Sequence, residues 1–419
     1  AAVTIRTPFA GLLTAEGISI LGTRMSTVAV PWLVLTTTGS ATKTGLVAFA
    51  EMLPYVLVMA LGGPIIDRWG ARRISLVCDT GAAVAVGLIP LAWAAGLLHF
   101  GVLLALIAVV GAGRASADGA KRLLIPALAE RSGVPLERAT GLHDGVSRVA
   151  GLVGAPVAGA LAGLFGAASV LVVDAVSFVA AAVLLAVAVP AGAVALAAGD
   201  EPARGVRRYF REIREGLSWL RRHRLMCGIA AMVSVTNLMD AAFATVLAPL
   251  WANEKAGNPL VLGLIFGVTA GGAVAGNVAA AVLGPRLPRY RTYAWGFLLC
   301  GAPRFAALWL LDSVPLALAV TFVGSIGAGV LNPILGAVEF ESVPRELQAR
   351  VLGAVGALAW AGIPVGGLLA GWLAGSWGLG AALALCGAVY LVATLAPFVF
   401  PSWKQMDRAP APDPVPASY

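Results

Sequence analysis

The amino-acid sequence predicts an all-α membrane protein with twelve transmembrane helices, arranged as two pseudo-symmetric bundles of six. Three observations predict this fold class. Hydrophobic residues make up 59% of the 419 positions and charged residues only 12%, which leaves too few polar groups for a water-exposed surface. Basic residues are concentrated in alternate loops, and a Gly/Pro-rich segment of the first half recurs in the second half.

Twelve apolar runs define the predicted spans, each close to the roughly 20 residues that cross a bilayer. Turn-forming or charged residues separate them, such as Thr38-Gly39-Ser40 after the first run. The spans lie near residues 9–35, 44–66, 73–96, 101–125, 141–165, 168–190, 226–250, 260–283, 292–312, 315–338, 351–374 and 377–400.

The loops between the spans alternate in charge. One set contains Arg68, Arg72 and Arg73, then Lys121, Arg122, Arg131 and Arg138, then eight arginines between residues 204 and 224. The other set contains Lys43 and Lys255 and few other charges. Because cytoplasmic loops are enriched in Lys and Arg, we expect a multi-pass protein of the cell membrane with both termini in the cytoplasm.

An internal repeat predicts the domain organisation. Residues 154–163 read GAPVAGALAG and residues 362–371 read GIPVGGLLAG, so the fifth and eleventh spans correspond. We therefore expect a six-helix bundle at 1–190, a linker at 191–224, a second bundle at 225–400 and a cytoplasmic tail at 401–419. Parallel halves of this kind place a substrate cavity at their interface.

The linker contains a predicted basic amphipathic helix. Apolar residues recur at helical spacing, and arginines occupy much of the remaining surface. We expect this helix to lie on the anionic inner leaflet, and a solvated linker helix is the alternative. The apolar residues are Val206, Phe210, Ile213, Leu217 and Leu220.

The sequence also predicts which cofactors and partners to exclude. Its four cysteines lie singly in apolar runs, which indicates neither a disulfide framework nor a metal site. It has no phosphate-binding or hydrolase motif, so we expect neither an enzyme nor any cofactor. The net charge of +8 follows the membrane topology and does not predict nucleic-acid binding.

Several ionisable or polar residues lie inside predicted spans, where a charge costs roughly 2.5–3.5 kcal/mol. A carboxylate in such a cavity can exchange protons near neutral pH. We expect Glu51 and Asp240 to be the best proton carriers, followed by Glu16. The alternative is a structural ion pair, such as Glu51 with Arg24 or Arg114. The full predicted proton and substrate site comprises Glu16, Arg24, Glu51, Arg114, Asn237, Asp240 and Arg304.

The loop after the second span carries the most specific motif. Residues 63–73 read GPIIDRWGARR, which fits the pattern G-x3-D-R-x-G-x-R-R, and on this motif the chain resembles the major facilitator superfamily. The resemblance implies a cytoplasmic gate that latches in the outward-facing state, with Asp118 as its acidic partner. A topogenic charge cluster is the alternative. The implied gate residues are Gly63, Asp67, Arg68, Gly70, Arg72, Arg73 and Asp118.

The fifth span resembles the Gly/Pro motif of the family's antiporters. Proline bends a helix and glycines allow close helix contact, so this span is expected to seal or rock at the interface of the halves. Close packing of small residues alone is the alternative. The motif residues are Gly151, Gly154, Pro156 and Gly159.

The resemblance to this superfamily covers nearly the whole chain. Together with the segments at 174–178 and 332–333, it points to the branch of macrolide, tetracycline and siderophore exporters. The branch implies a monomer that exports a small amphipathic molecule in exchange for protons, using the proton gradient and no cofactor. A facilitative or proton-coupled importer, a lipid or lysolipid transporter, and a non-transporting sensor are the alternatives.

Overall fold

The computed structural model describes residues 8–190, 206–283, 287–344 and 347–407, and within these ranges the chain is helical and contains no strand. The first half contains seven helices. They are α1 (Pro8–Thr38), α2 (Ala41–Leu61), α3 (Gly63–Trp69), α4 (Ala71–Ala94), α5 (Phe100–Arg131), α6 (Leu136–Phe165) and α7 (Ala167–Ala188).

The second half follows a connecting helix, α8 (Val206–Arg222). A π-helical turn at Phe243–Leu247 joins α9 to α10, and a 3-10 turn at Pro401–Asp407 follows the last helix. The helices are α9 (Arg224–Ala242), α10 (Ala248–Ala256), α11 (Pro259–Leu283), α12 (Arg289–Cys300), α13 (Ala302–Leu310), α14 (Val314–Ser342), α15 (Gln348–Ala361) and α16 (Ile363–Val399).

Ten stretches of the described chain are long and apolar enough to cross a membrane. One of them, Arg350–Val399, has 50 residues and would extend about 75 Å as one helix, more than twice the hydrocarbon core. It reverses at Gly378, whose φ of 83° is a left-handed conformation that favours glycine. With α12 and α13 as one further crossing, the architecture is consistent with twelve.

Two predicted spans are interrupted where we expected continuous helices. The span expected at 44–66 ends at Leu61, and α3 begins after Gly62. The span expected at 292–312 divides into α12 and α13 at Gly301, where an added Cβ would lie 1.6 Å from Cε1 of Tyr390. Pro303 at the start of α13 lacks the N–H that would continue the helical ladder.

The halves meet along two seams that repeat the internal symmetry. In one seam α6 packs on α11, and in the other α16 packs on α2. An added Cβ on Gly371 would lie 2.7 Å from the carbonyl oxygen of Ala41, so the backbones approach closely there. The Thr42 hydroxyl donates to the Gly371 carbonyl at 3.2 Å.

The two ends of the molecule differ in how tightly the halves meet. We name them the Gly257 end, with the turns at Gly39 and Gly257, and the arginine end, with the loop at Gly70. The seam contacts of Gly371 lie near the Gly257 end, whereas toward the arginine end α2 meets α15 through stacked rings of Tyr55 and Trp360. The halves are therefore closed at the Gly257 end.

The C-terminal part of helix α8 packs on the second bundle. Leu220 is 2% exposed and joins a core cluster with residues of α9 and α15. Arg350 of α15 forms an ion pair with Glu215 at 2.9 Å. The side chains of residues 206–210 lie outside the described part of α8. Protein packing therefore covers Leu220 and part of Leu217, whereas Ile213 is partly exposed. Contact of this helix with the inner leaflet stays a prediction.

His223 joins α8 to α9. Its Nδ1 accepts a hydrogen bond from the Met226 backbone N–H at 3.3 Å and so caps α9. The ring stacks on Trp219 with centroids 4.9 Å apart. Partial burial lowers the pKa of His223, which favours the neutral ring that can accept this bond.

Candidate functional site

A cavity of about 340 Å³ lies in the first half and faces the second half. Trp360 of α15 forms part of its wall, so both halves contribute. We call it the polar cavity. The acidic, basic and histidine residues of its lining are Glu16, Arg24, Asp79, Arg114, Asp118, Lys121, Arg122 and His143.

Glu51 and Arg114 form an ion pair between α2 and α5 at the edge of this cavity. Both side chains are about one-fifth exposed, at 22% and 21%. Gly111 allows the backbones of α5 and α2 to lie close together at this pair, since a Cβ on Gly111 would lie 2.1 Å from the Glu51 carbonyl oxygen. The structure therefore forms the pair that we considered as the structural alternative for Glu51.

Asp118 lies inside the polar cavity, next to Gly119, where an added Cβ would lie 3.2 Å from Cδ1 of Ile66 in the gate loop, and the role of Asp118 as acidic partner of the loop motif stays a prediction. The Tyr55 hydroxyl donates to its Oδ2 at 3.1 Å. Helix α5 continues beyond Asp118 to Arg131, about 20 Å further along the helix axis. Tyr55 also stacks on Trp360 of the other half, with ring centroids 6.1 Å apart.

Asp79 and Lys121 form a fully buried ion pair that sequence reasoning missed. The Lys121 Nζ lies 2.9 Å and 3.0 Å from the two carboxylate oxygens, and the side chains are 1% and 2% exposed. Lys121 was counted among the cytoplasmic loop charges, but it lies within α5, which continues to Arg131. An isolated aspartate in the apolar run of α4 was the available signal.

The polar face of α1 lies on the other side of the cavity. Glu16 is buried, and its Oε2 lies 3.0 Å from Nδ1 of His143 on α6. Ser19 and Arg24 line the same cavity, about one and two helical turns after Glu16 on α1. His143 was not among the predicted site residues, since nothing in the sequence shows that α6 presents it to α1.

Asp174 joins α1 to α7 outside the cavity. Ser26 of α1 donates to one carboxylate oxygen, and Ser177 approaches the other at 3.3 Å. The carboxylate is 1% exposed, and Gly22 leaves it the room that a Cβ would fill. This aspartate therefore holds two helices together.

The second half has its own intramembrane ion pair, formed by Asp240 of α9 and Arg304 of α13. The guanidinium lies over the rings of Phe243, Phe305 and Tyr390, with its carbon 4.6, 5.4 and 5.6 Å from their centroids. Such cation–π contacts stabilise a desolvated arginine. The carboxylate is more accessible, since the Asp240 side chain is 40% exposed.

Asn237, one turn before Asp240, binds the backbone and not another site residue. Its Nδ2 donates to the Ala359 carbonyl at 3.0 Å, which joins α9 to α15. Its position is thus fixed by packing between two helices of the same bundle.

The loop motif at 63–73 forms the short helix α3 and the turn at Gly70, whose φ is 82°. Arg72 donates to the carbonyls of Val189 at 2.6 Å and Ala186 at 2.8 Å, and so caps the C-terminus of α7. Arg68 and Arg73 are exposed. The Asp67 side chain lies outside the described residues.

The Gly/Pro motif of α6 lies on the seam with α11. A Cβ on Gly159 would lie 2.6 Å from the Pro259 carbonyl oxygen, and one on Gly267 would lie 2.5 Å from Cγ of Pro156. The other two motif glycines face α1: a Cβ on Gly154 would lie 3.0 Å from Cβ of Arg24. The motif thus packs α6 against both halves.

Comparison with known proteins agrees with this architecture of two helical halves around an interface cavity. The sequence matches the family described as transmembrane secretion effector over residues 3–417. The chain belongs to the major facilitator superfamily. It is therefore a multi-pass membrane transporter of a small-molecule substrate and not an enzyme, as the loop motif implied.

Curated relatives of this superfamily align along nearly the whole chain. The multidrug efflux pump Tap of Mycobacterium tuberculosis (strain ATCC 25618 / H37Rv) is 30% identical over 414 residues, covering 97% of this chain and 95% of that protein. The multidrug efflux pump Tap of Mycolicibacterium fortuitum is 28% identical over 419 residues, covering 98% and 99%. The alignments include both bundles.

Solved structures of superfamily members share the fold at low sequence identity. The nucleoside transporter NupG superposes with a TM-score of 0.76 at 12% identity, covering 94% of this chain and 99% of that chain. A bacterial homolog of the human lysosomal transporter Spinster, in an inward-facing and unoccupied conformation, gives 0.69 at 14% identity, covering 98% and 100%. These similarities establish the fold alone.

Proposed function

We propose that this protein exports a small amphipathic molecule by alternating access, in exchange for protons, as a monomer in the cell membrane. The observation that carries the proposal is that a predicted proton-carrier carboxylate forms an intramembrane ion pair with an arginine in each half, Glu51–Arg114 in the first and Asp240–Arg304 in the second. The names of the aligned relatives, multidrug efflux pumps, support drugs or related metabolites as substrates.

The orientation of the carrier is part of the proposal. The arginine end is the richer in basic residues, and the positive-inside rule assigns it to the cytoplasm, with both termini there. The seams at the Gly257 end are closed in this structure, so the polar cavity faces the cytoplasmic side. A substrate would enter from the cytoplasm or the inner leaflet in this conformation.

Each ion pair offers a simple coupling mechanism. An ionised carboxylate holds its arginine, whereas a protonated carboxyl is neutral and releases it. Because an unpaired charge inside the membrane is costly, the protonated and ionised pairs favour different arrangements of the helices. Protons that enter from outside and leave inside would drive the cycle toward export.

The test is efflux from membrane vesicles driven by an imposed pH gradient. Glu51→Gln and Asp240→Asn each remove a titratable site at constant shape, and we expect at least a tenfold loss of pH-driven transport with substrate binding retained. The matched control is Asp312→Asn in the turn between α13 and α14, which breaks the exposed ion pair with Lys255, 2.5 Å apart.

A double variant distinguishes loss of the proton site from misfolding caused by an unpaired arginine. Glu51→Gln leaves Arg114 without a partner, so Glu51→Gln combined with Arg114→Gln removes both charges. If both single variants retain full pH-driven transport, the proposed proton sites are wrong, and Glu16 becomes the next candidate. Transport without any proton movement in the wild type would instead indicate a uniporter or a lipid carrier.

A further inference from the structure

A second cavity, of about 370 Å³, lies between the halves where α1 and α6 face α11. Two arginines line it, Arg24 from α1 and Arg148 from α6, together with the hydroxyl-bearing Thr27, Ser147 and Thr269. The other lining side chains are small or apolar, and they include Phe266, Ala270 and Ala273 of α11. We call this cavity the arginine cleft.

The charge of the arginine cleft differs from that of the polar cavity. No carboxylate belongs to its lining. Within the described ranges, no acidic oxygen lies within 4.0 Å of a nitrogen of Arg24 or Arg148, whereas Arg114, Lys121 and Arg304 all have carboxylate partners. Both cleft arginines are exposed. Two unpaired guanidinium groups between transmembrane helices favour binding of an anion.

The glycines of α6 keep this cleft open. A Cβ on Gly151 would lie 3.9 Å from Nε of Arg24 and 4.0 Å from Cβ of Ala270, so any larger side chain would fill the space between α1 and α11. Gly154 allows the stem of Arg24 to lie against α6. Part of the motif that resembles an antiporter signature therefore serves to accommodate an arginine.

We propose that the arginine cleft binds the anionic head group of an amphipathic substrate, such as a carboxylate, sulfonate or phosphate ester on an apolar body. The guanidinium fork pairs well with such oxyanions, and the apolar wall suits the body of the molecule. This inference rests on the proposed export function and names its substrate class. Since Glu51 and Asp240 lie outside the cleft, proton exchange would be coupled through the conformational cycle.

The test measures binding without a proton gradient, so it does not depend on transport. Purified protein in phosphatidylcholine nanodiscs is titrated by calorimetry with three naphthalene compounds of similar size. They carry a sulfonate, a trimethylammonium or a hydroxymethyl group. We expect the sulfonate to bind at least tenfold more tightly than the other two.

The variants assign this preference to the cleft. Arg24→Gln and Arg148→Gln should each weaken sulfonate binding by about tenfold, in keeping with one lost charged hydrogen bond, and Arg148→Lys should restore part of it. The matched control is Arg222→Gln, an exposed arginine of α8, which lowers the net charge equally and should leave binding unchanged.

Two sources of the anionic head group can be separated in the same system. If phosphatidylglycerol raises the thermal stability of the wild type but not of Arg148→Gln, a lipid head group occupies the cleft. If phosphatidylglycerol does not raise the thermal stability of the wild type in this way, and the sulfonate still binds, the ligand of the cleft is a free amphiphile. Equal binding of the cationic and anionic probes, or sulfonate binding that is unchanged in both arginine variants, would overturn the proposal. Loss of proton-driven transport alone would contradict only the export function.

Discussion

Gly159 lies where the two halves touch, and a single added methyl group there should shift the conformational equilibrium of the carrier. In Gly159→Ala the Cβ would lie 2.6 Å from the carbonyl oxygen of Pro259, 2.9 Å from Cα of Leu260 and 3.2 Å from Cα of Gly263. These neighbours are backbone atoms and cannot rotate away. Overpacking of this kind costs about 1–3 kcal/mol, which corresponds to roughly a 5–150-fold change in the equilibrium.

The cost applies only while the seam at the Gly257 end is closed, so the variant should populate the state that is open at that end. Pulsed electron paramagnetic resonance can measure this change between spin labels at Phe165 and Leu310, which are 69% and 65% exposed at the Gly257 end of the two halves. The four native cysteines are first replaced. We expect Gly159→Ala to add a population at longer distance.

Gly163 provides the matched control on the same helix. A Cβ there would lie 3.6 Å from Oδ1 of Asn258, an ordinary van der Waals contact, so Gly163→Ala should keep the wild-type distances. If Gly159→Ala and Gly163→Ala give the same distance distribution as the wild type, the glycine seam does not control closure and the reasoning is wrong.

Three further predictions concern other parts of the chain. Lys121→Met should lower the free energy of unfolding by about 3–5 kcal/mol, because it leaves Asp79 buried without a partner, and adding Asp79→Leu should recover most of the loss; unfolding in detergent measures both. The melting temperature should fall as the pH drops from 8 through 6, because the lowered pKa of His223 makes its protonation unfavourable in the folded state. In His223→Asn, which keeps a capping oxygen, this part of the pH dependence should disappear. Asp67→Asn should reduce turnover more than substrate binding if the loop motif acts in the conformational cycle, and equal turnover in reconstituted vesicles would contradict that role.

The helical architecture could be predicted from sequence because apolar runs and loop charges follow from the local order of residues and do not depend on tertiary contacts. The breaks within spans could not, since a hydropathy window reads an apolar run without detecting where it bends. Gly301 illustrates this limit: Pro303 nearby is a sequence signal for a break, but the close contact of Gly301 with the ring of Tyr390, 89 residues later, is visible only in the folded chain.

The candidate site was predictable in its residue types but not in its pairings. Glu51, Asp240 and Arg304 are recognisable as charges in apolar runs, yet which arginine reaches which carboxylate depends on the rotation of each helix against its neighbours. Lys121 shows the consequence, since it was counted as a loop charge and instead pairs with Asp79 between α4 and α5. His143 was missed for the same reason, since only tertiary packing brings it to Glu16.

The most direct test of the central claim is proton movement through the purified protein in liposomes. A pH-sensitive dye is enclosed, a pH gradient is imposed, and cationic, neutral and anionic amphiphiles are added in turn. We predict that at least one amphiphile accelerates dissipation of the gradient, that Asp312→Asn behaves like the wild type, and that Glu51→Gln and Asp240→Asn abolish the effect. Substrate movement with no accompanying proton flux would contradict proton-coupled export by this carrier.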